Sequence, residues 1–209
     1  MRGDGGNGQD ETRAKLLVAA HEQFAERGFY GASIAQIAGE LGLTKQALLY
    51  HFKRKEDLYA EVLQAISSRL TANLALPSQS AQSPEARLRE IFLGLYRSAL
   101  ENPSDTRILT RELLDNRTRA EKAKDWYLRP FLDEITTALS RISGFEDRSE
   151  PELFAIIYQM LGGIEYMAIS EPTLRQMYGD ERYEEIVAQY PQAISEQIDR
   201  LIASTKASS

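Results

Sequence analysis

Between Ser33 and Leu58 the chain reads SIAQIAGELGLTKQALLYHFKRKEDL, and the polar side chains in this stretch are spaced for contact with nucleic acid. With residues 45–51 helical, Leu48 and Phe52 share one face at i and i+4. Thr44, Lys45, Gln46, Tyr50 and His51 then point the other way. Outward Lys, Gln and Tyr suit base edges, phosphates and thymine methyl groups. Lys45, Lys53, Arg54 and Lys55 follow one another with no acid until Glu56, a local cluster able to neutralise phosphate charge. The residues expected to face DNA are Ser33, Thr44, Lys45, Gln46, Ala47, Tyr50, His51, Arg54 and Lys55. Other chemistry finds no support. There is no cysteine, and His21 and His51 are the only histidines. No GxSxG, HExxH, phosphate loop or dinucleotide fingerprint is present. Neither an enzyme nor a metal or cofactor is expected, and His21 reads as a packed or solvated side chain.

Short helices must position these groups. Ser33 and Gln36 have capping-box spacing, and Ile34, Ile37, Ala38 and Leu41 form an inward face. Gly42 permits a tight turn, and Thr44 is a suitable N-cap for the next helix. A preceding helix starts near Asp10–Thr12, carries Leu16, Leu17, Ala20 and Phe24 at helical spacing, and ends at Gly28. Helix, tight turn, helix is the layout of a helix-turn-helix DNA reader.

Thr12-Arg13, Ala19-Ala20, Phe24, Gly28-Phe29, Ala32-Ser33-Ile34, Ile37-Ala38, Leu41-Gly42-Leu43-Thr44-Lys45, His51-Phe52, Lys55-Glu56 and Leu58 together resemble the tetracycline-repressor (TetR) family, over residues 12–60 in one register without a gap. The resemblance implies a homodimeric, all-helical transcription regulator. Its three N-terminal helices would bind DNA, and its larger C-terminal domain a small molecule. Three positions depart from the family pattern. Gln46 stands where Gly is frequent, and Leu49 where a phosphate-contacting Tyr is usual, with Tyr50 one place later. Arg54 replaces a small capping residue and is free to add a phosphate contact beside Lys55.

The rest of the chain is also helical by period. A helix over 55–74 links the domains. Residues 77–83 form a polar linker, and Ser83 caps a helix that opens on Pro84. Helices follow near Asp105–Asp115 and over 119–143, the latter bent or interrupted in its hydrogen-bond ladder by Pro130. Ser149 and Glu152 form a second capping box ahead of a helix that ends at Glu171-Pro172, and residues 173–178 add one turn. The last helix starts near Asp180 and is kinked at Pro191. The expected fold is all-α, about nine helices: an N-terminal three-helix helix-turn-helix DNA-binding domain and a C-terminal helical ligand-binding and dimerisation domain. The expected limits are a disordered tail 1–9, a DNA-binding domain 10–54, a linker helix 55–76, a ligand-binding and dimerisation domain 77–203, and a second tail 204–209.

The last two long helices are apolar over more than one face, which calls for a partner. Phe154, Leu161, Gly162, Ile186, Ile194 and Ile198 are the residues expected at a dimer interface. Tyr96, Trp126, Tyr127, Phe131, Tyr158, Gln159 and Glu165 are candidates for an effector pocket, apolar with a few polar groups. Residues 1–60 hold eight basic and eight acidic residues, so the net charge of −6 arises from the remainder, and an acidic body suppresses non-specific binding. No signal-like or uninterrupted membrane-length apolar run is seen, and a cytoplasmic location is expected. The expected partners are therefore a palindromic double-stranded DNA operator, a largely apolar effector and a second copy of the chain. The alternative reading is an architectural DNA-binding protein without an effector.

Overall fold

A computed structural model describes residues 5–75, 83–115 and 127–206. These residues form ten α-helices and no strand: α1 Gly5–Gly31, α2 Ile34–Glu40, α3 Lys45–His51, α4 Lys55–Ala75, α5 Pro84–Glu101, α6 Pro103–Asp115, α7 Arg129–Ser140, α8 Glu150–Ile169, α9 Glu171–Tyr178 and α10 Asp180–Lys206. The all-α expectation holds. There are two compact units. One comprises the described residues within Met1–Ile66 and Arg107–Asp125, the other those within Ser67–Thr106 and Trp126–Ser209. The expected limits follow chain order, whereas these units do not, because the end of α6 belongs with the N-terminal helices.

In the first unit Leu16, Ala20, Phe24, Ile37, Ala38, Leu48, Phe52, Leu58, Val62 and Ile66 are buried. Seven-residue helices such as α2 and α3 are too short to persist alone. Burial of each large apolar side chain, worth about 1.5–3 kcal/mol, is what holds them. Tyr59 of α4 meets Phe24 edge-on at 4.8 Å, and its hydroxyl donates to Glu112 of α6 at 2.8 Å. Helix α1 starts at Gly5, earlier than composition implies, because extending a helix costs less than nucleating one. At Gly28 (φ 68°, ψ 175°) its backbone leaves helical geometry, in a region that favours glycine. The Arg111 guanidinium donates to the Glu26 carbonyl at 2.9 Å, satisfying an acceptor at this helix end.

In the second unit α5 is central. Leu88, Ile91, Phe92 and Leu95 form a core with residues of α7, α8 and α10, including Phe131, Ile135, Ile157, Ile164, Ile194 and Ile198. Arg69, in the later half of α4, makes a forked ion pair with Asp105 of α6 (2.6 and 3.0 Å). Arg175 of α9 is bonded to Glu171, Asp180 and Glu184 and lies 4.2 Å from the Tyr183 ring centre, which staples α9 to α10.

The caps divide into two groups. Ser83 accepts from the Ala86 N–H at 3.2 Å. At α8 the Ser149 hydroxyl and N–H donate to the Glu152 carboxylate at 2.6 and 2.9 Å, which together hold that carboxyl below its ordinary range. The box expected at Ser33 and Gln36 does not form: Ser33 makes no side-chain cap, and Gln36 instead accepts from Arg27 of α1 at 2.8 Å. A tertiary partner has outcompeted the local one. Of the two effects expected of Pro130, the described residues show a helix that starts beside it, at Arg129. The proline occupies the first turn of α7, where a missing N–H costs nothing; residues 119–126 of the helix expected over 119–143 lie outside the described residues, as do 77–82 of the expected linker and residues 1–4 and 207–209 of the tails.

Helix α8 is twenty residues long and, by length and composition, apolar enough to cross a membrane, although no uninterrupted apolar run was legible. A core helix passes the same test, and Leu153, Ile157, Met160, Ile164, Met167 and Ala168 are buried in the unit.

Candidate nucleic-acid interface

The turn between α2 and α3 is built by hydrogen bonds. The Leu43 N–H donates to the Ala38 carbonyl (2.9 Å) and the Gly42 N–H to that of Gly39 (3.0 Å), the paired bonds of a Schellman motif. Gly42 lies at φ 68°, the left-handed conformation that this motif requires of the residue just past the helix. Thr44 then accepts from the Ala47 N–H at 3.2 Å and opens α3. Two residues after Gly42 the chain is thus turned and restarted, which sets α3 across α2.

Leu48 and Phe52 are buried beneath α3, and Thr44, Lys45, Gln46 and Tyr50 are exposed on it, Tyr50 by 73%. The Tyr50 and His51 rings meet edge-on at 5.5 Å; His51, Ala47 and Ser33 are half-buried. A 73%-exposed tyrosine beside an exposed lysine and glutamine is unusual for a surface that touches only water. Leu49 is half-buried and cannot supply the hydrogen bond of the tyrosine usual at its position.

Arg13, absent from the expected site, fixes the far end of α3. Its guanidinium sits 4.8 Å from the Phe52 ring centre and pairs with Glu61 of α4. The one hint in the sequence was its place in the Thr12-Arg13 pair. Gln23 bonded to Glu40 ties α1 to α2 in the same way.

The basic cluster is less uniform than its sequence implies. Lys53 is exposed. Arg54 is exposed but forked onto Asp57 at 2.7 and 3.3 Å, which holds the Asp57 carboxyl below its ordinary range. Lys55 turns inward: its ammonium donates to the Ala32 carbonyl at 2.6 Å and lies 4.8 Å from the Phe29 ring centre. Burial pushes the Lys55 pKa down. Lys55 therefore clasps the α1–α2 connection to α4, where a phosphate contact was expected. Lys55→Met should lower stability by on the order of 1 kcal/mol, read as a urea midpoint, and leave the salt dependence of DNA binding unchanged. A fall of about one in that slope would assign Lys55 to phosphate after all.

The pocket candidates do not converge. Tyr96 and Phe131 are buried in the second unit's core. Tyr127 is half-buried, its carbonyl accepting from Ser67 at 2.5 Å. Tyr158 is 47% exposed and stacked on Phe154 at 5.3 Å. Trp126 lies outside the described residues. Glu165 is half-buried, with its carboxyl pushed up by desolvation. Only Gln159 lines the cleft found between α8 and α10, about 230 Å³ in volume, with Phe92, Met160, Gly163, Tyr190 and Gln197. Of the dimer candidates, Ile194 and Ile198 are buried inside the chain's own core and cannot form a surface. Phe154 (40% exposed) and Gly162 lie open, and Leu161 and Ile186 are half-buried.

A short helix presented across a Schellman turn, polar outward and anchored inward, defines a helix-turn-helix protein. Residues 16–62 match the model of the bacterial regulatory proteins of the tetR family. Among similar proteins, the HTH-type transcriptional activator FasR of Mycolicibacterium smegmatis is 36% identical over 81 residues, 39% of this chain and 37% of that one. The HTH-type transcriptional repressor NicS of Pseudomonas putida is 29% identical over 116 residues, 56% and 55%. The chain thus spans about half or less of the length of the curated relatives it matches. The fold extends further: the fatty acid degradation regulator FadR from Bacillus halodurans superposes with a TM-score of 0.67 over 90% of this chain and 94% of that one, at 15% identity. Residues 16–62 thus carry the N-terminal region of the tetR family, and the chain as a whole shares the fold of the solved regulator.

Proposed function

We propose that the protein is a sequence-specific, DNA-binding transcriptional regulator that acts as a homodimer and is released from its operator by a small molecule. The outward face of α3, with Lys45, Gln46 and Tyr50 exposed over buried Leu48 and Phe52, carries this reading. One seven-residue helix reads too few base pairs to be selective. Two copies, placed about 34 Å apart, read a palindrome. The dimer is supported by α8, whose Phe154, Tyr158 and Tyr166 are exposed on an otherwise apolar helix, a surface that favours a partner. Sedimentation at the mass of a single chain at micromolar concentration would sink the dimer.

Repression follows where the operator overlaps a promoter; FasR is named an activator and NicS a repressor, so position on the promoter sets the sign. The effector would be small and largely apolar, and it would shift the dimer toward a spacing of recognition helices that no longer matches successive major grooves. Helix α4, which starts in one unit and ends in the other, is the element that would carry this shift. The relatives named above are regulators, which favours a non-enzymatic, cytoplasmic role. Selection of bound duplexes from a random pool, followed by anisotropy titration with and without a panel of apolar acids and aromatics, tests both parts. Enrichment of no palindrome would remove the operator reading. A palindrome whose affinity no compound alters would favour the effector-independent alternative.

A further inference from the structure

Arg54 follows directly on α3 and its C-cap, Phe52, at the end of the face assigned to DNA, and it is exposed. The Nε–Nη2 edge of its guanidinium is occupied: Nη2 donates to Oδ1 of Asp57 at 2.7 Å and Nε to Oδ2 at 3.3 Å. A phosphate group presents two oxygens to arginine with the same forked geometry. The carboxylate of Asp57 thus occupies one of the forked positions that a backbone phosphate would take, the Nε–Nη2 edge. It is also drawn to Lys53, the neighbouring exposed cation, while Lys55 is turned inward. Asp57 is therefore set against both exposed cations at this end of the reader, with Glu56 adding to the negative field at Arg54.

We propose that Asp57 is a built-in competitor for DNA phosphate at the Nε–Nη2 edge of Arg54, so that each half-site gains its forked phosphate contact there only after the Arg54–Asp57 pair opens. The proposal rests on the DNA-binding reading above. The pair is local and solvent-exposed, so it opens easily. Exposed ion pairs shift equilibria by up to about fivefold, and two protomers on one duplex raise this to at most about 25-fold. The cost falls on every sequence alike, because phosphate carries no base information. The competitor thus lowers affinity for random DNA and leaves the ranking of operators unchanged.

The test uses the full chain and a fluorescent random-sequence duplex about three helical turns long, titrated between about 50 and 200 mM salt. Asp57→Asn is close to isosteric and retains an oxygen for the Arg54 backbone N–H. It should bind about two- to 25-fold more tightly at low salt, with a log–log salt slope steeper by about one per protomer. Arg54→Ala combined with Asp57→Asn should lose most of that gain. Asp57→Asn binding with unchanged affinity and slope, at unchanged helicity, would overturn the proposal. So would weaker binding, which would make Asp57 a buttress that aims Arg54 at phosphate. If the wild type and both variants all failed to bind the duplex, the DNA reading would fall and the competitor with it. Wild-type binding that Asp57→Asn leaves unaltered removes the competitor alone.

Discussion

Tyr50→Ala is expected to leave the fold intact and to cost about 1–2 kcal/mol per half-site on the preferred operator, roughly 30- to 1,000-fold for a dimer whose half-sites contribute independently. The side chain is 73% exposed, and the helix beneath it is anchored by buried Leu48 and Phe52, so its loss removes no core contact. If Tyr50 meets a base edge or a thymine methyl, random duplexes lose much less than the operator and preference relaxes at the contacted base pair. Lys53→Ala supplies the contrast. An exposed lysine on phosphate should weaken all duplexes alike and flatten the salt slope by about one per protomer. Binding isotherms on the operator, on single-base variants and on a random duplex separate the two. Equal losses for Tyr50→Ala on operator and random DNA would make Tyr50 a backbone contact, restoring one residue later the tyrosine usual at the place of Leu49.

Tyr96→Phe should lower stability by about 1–3 kcal/mol, the cost of leaving a buried carbonyl unpaired, and for a chain of this size shift the melting temperature by about 2–4 °C per kcal/mol. The reason lies in α10. Pro191 is inside that helix and has no N–H for the carbonyl four residues earlier, that of Val187. The Tyr96 hydroxyl donates to that carbonyl from α5 at 3.1 Å. Its ring stacks on Tyr190 at 5.0 Å, whose own hydroxyl donates to the Gly163 carbonyl of α8 at 2.7 Å. One phenol thus fills the gap that the proline opens, and the pair of tyrosines links α5, α10 and α8. Burial pushes the Tyr96 pKa up to about 12, against about 10 for a free tyrosine. A raised folded-state pKa means that the neutral phenol is favoured in the folded chain. Its contribution is therefore complete below pH 10 and is lost as pH rises toward 12. Urea midpoints at pH 8 and pH 11 should fall further apart for the wild type than for Tyr96→Phe. Equal separation would show that Tyr96 ionisation does not limit alkaline stability.

The reader was legible because its information is local. Gly42 at a left-handed turn, Thr44 as a cap, and Leu48 and Phe52 four apart are bound to their places by backbone sterics and helical period, and a single chain segment states both. The cap at Ser33 was legible in pattern but not in outcome, since Arg27 reaches Gln36 from another helix. The surroundings of the pocket candidates were not legible for a related reason. An aromatic on a helix stripe is the same letter whether it fills a core, as Phe131 does, or lies on the surface, as Tyr158 does. The second face of α8 could be read as apolar, but Ile194 and Ile198 of α10 could not be sorted from a dimer surface without knowing where α5 packs.

Helix type, turn position, the capped start of α3 and the outward polar face follow from residue order alone, because the interactions that set them span five residues or fewer. Tertiary structure decided what each charge does. Arg54, Lys55 and Arg13 are all cations near one helix, yet one is held by Asp57, one is turned in to Ala32 and one lies over Phe52. Their long side chains reach across several residues' width, so partners brought near by folding, which sequence spacing does not record, determine which of them remain available to DNA.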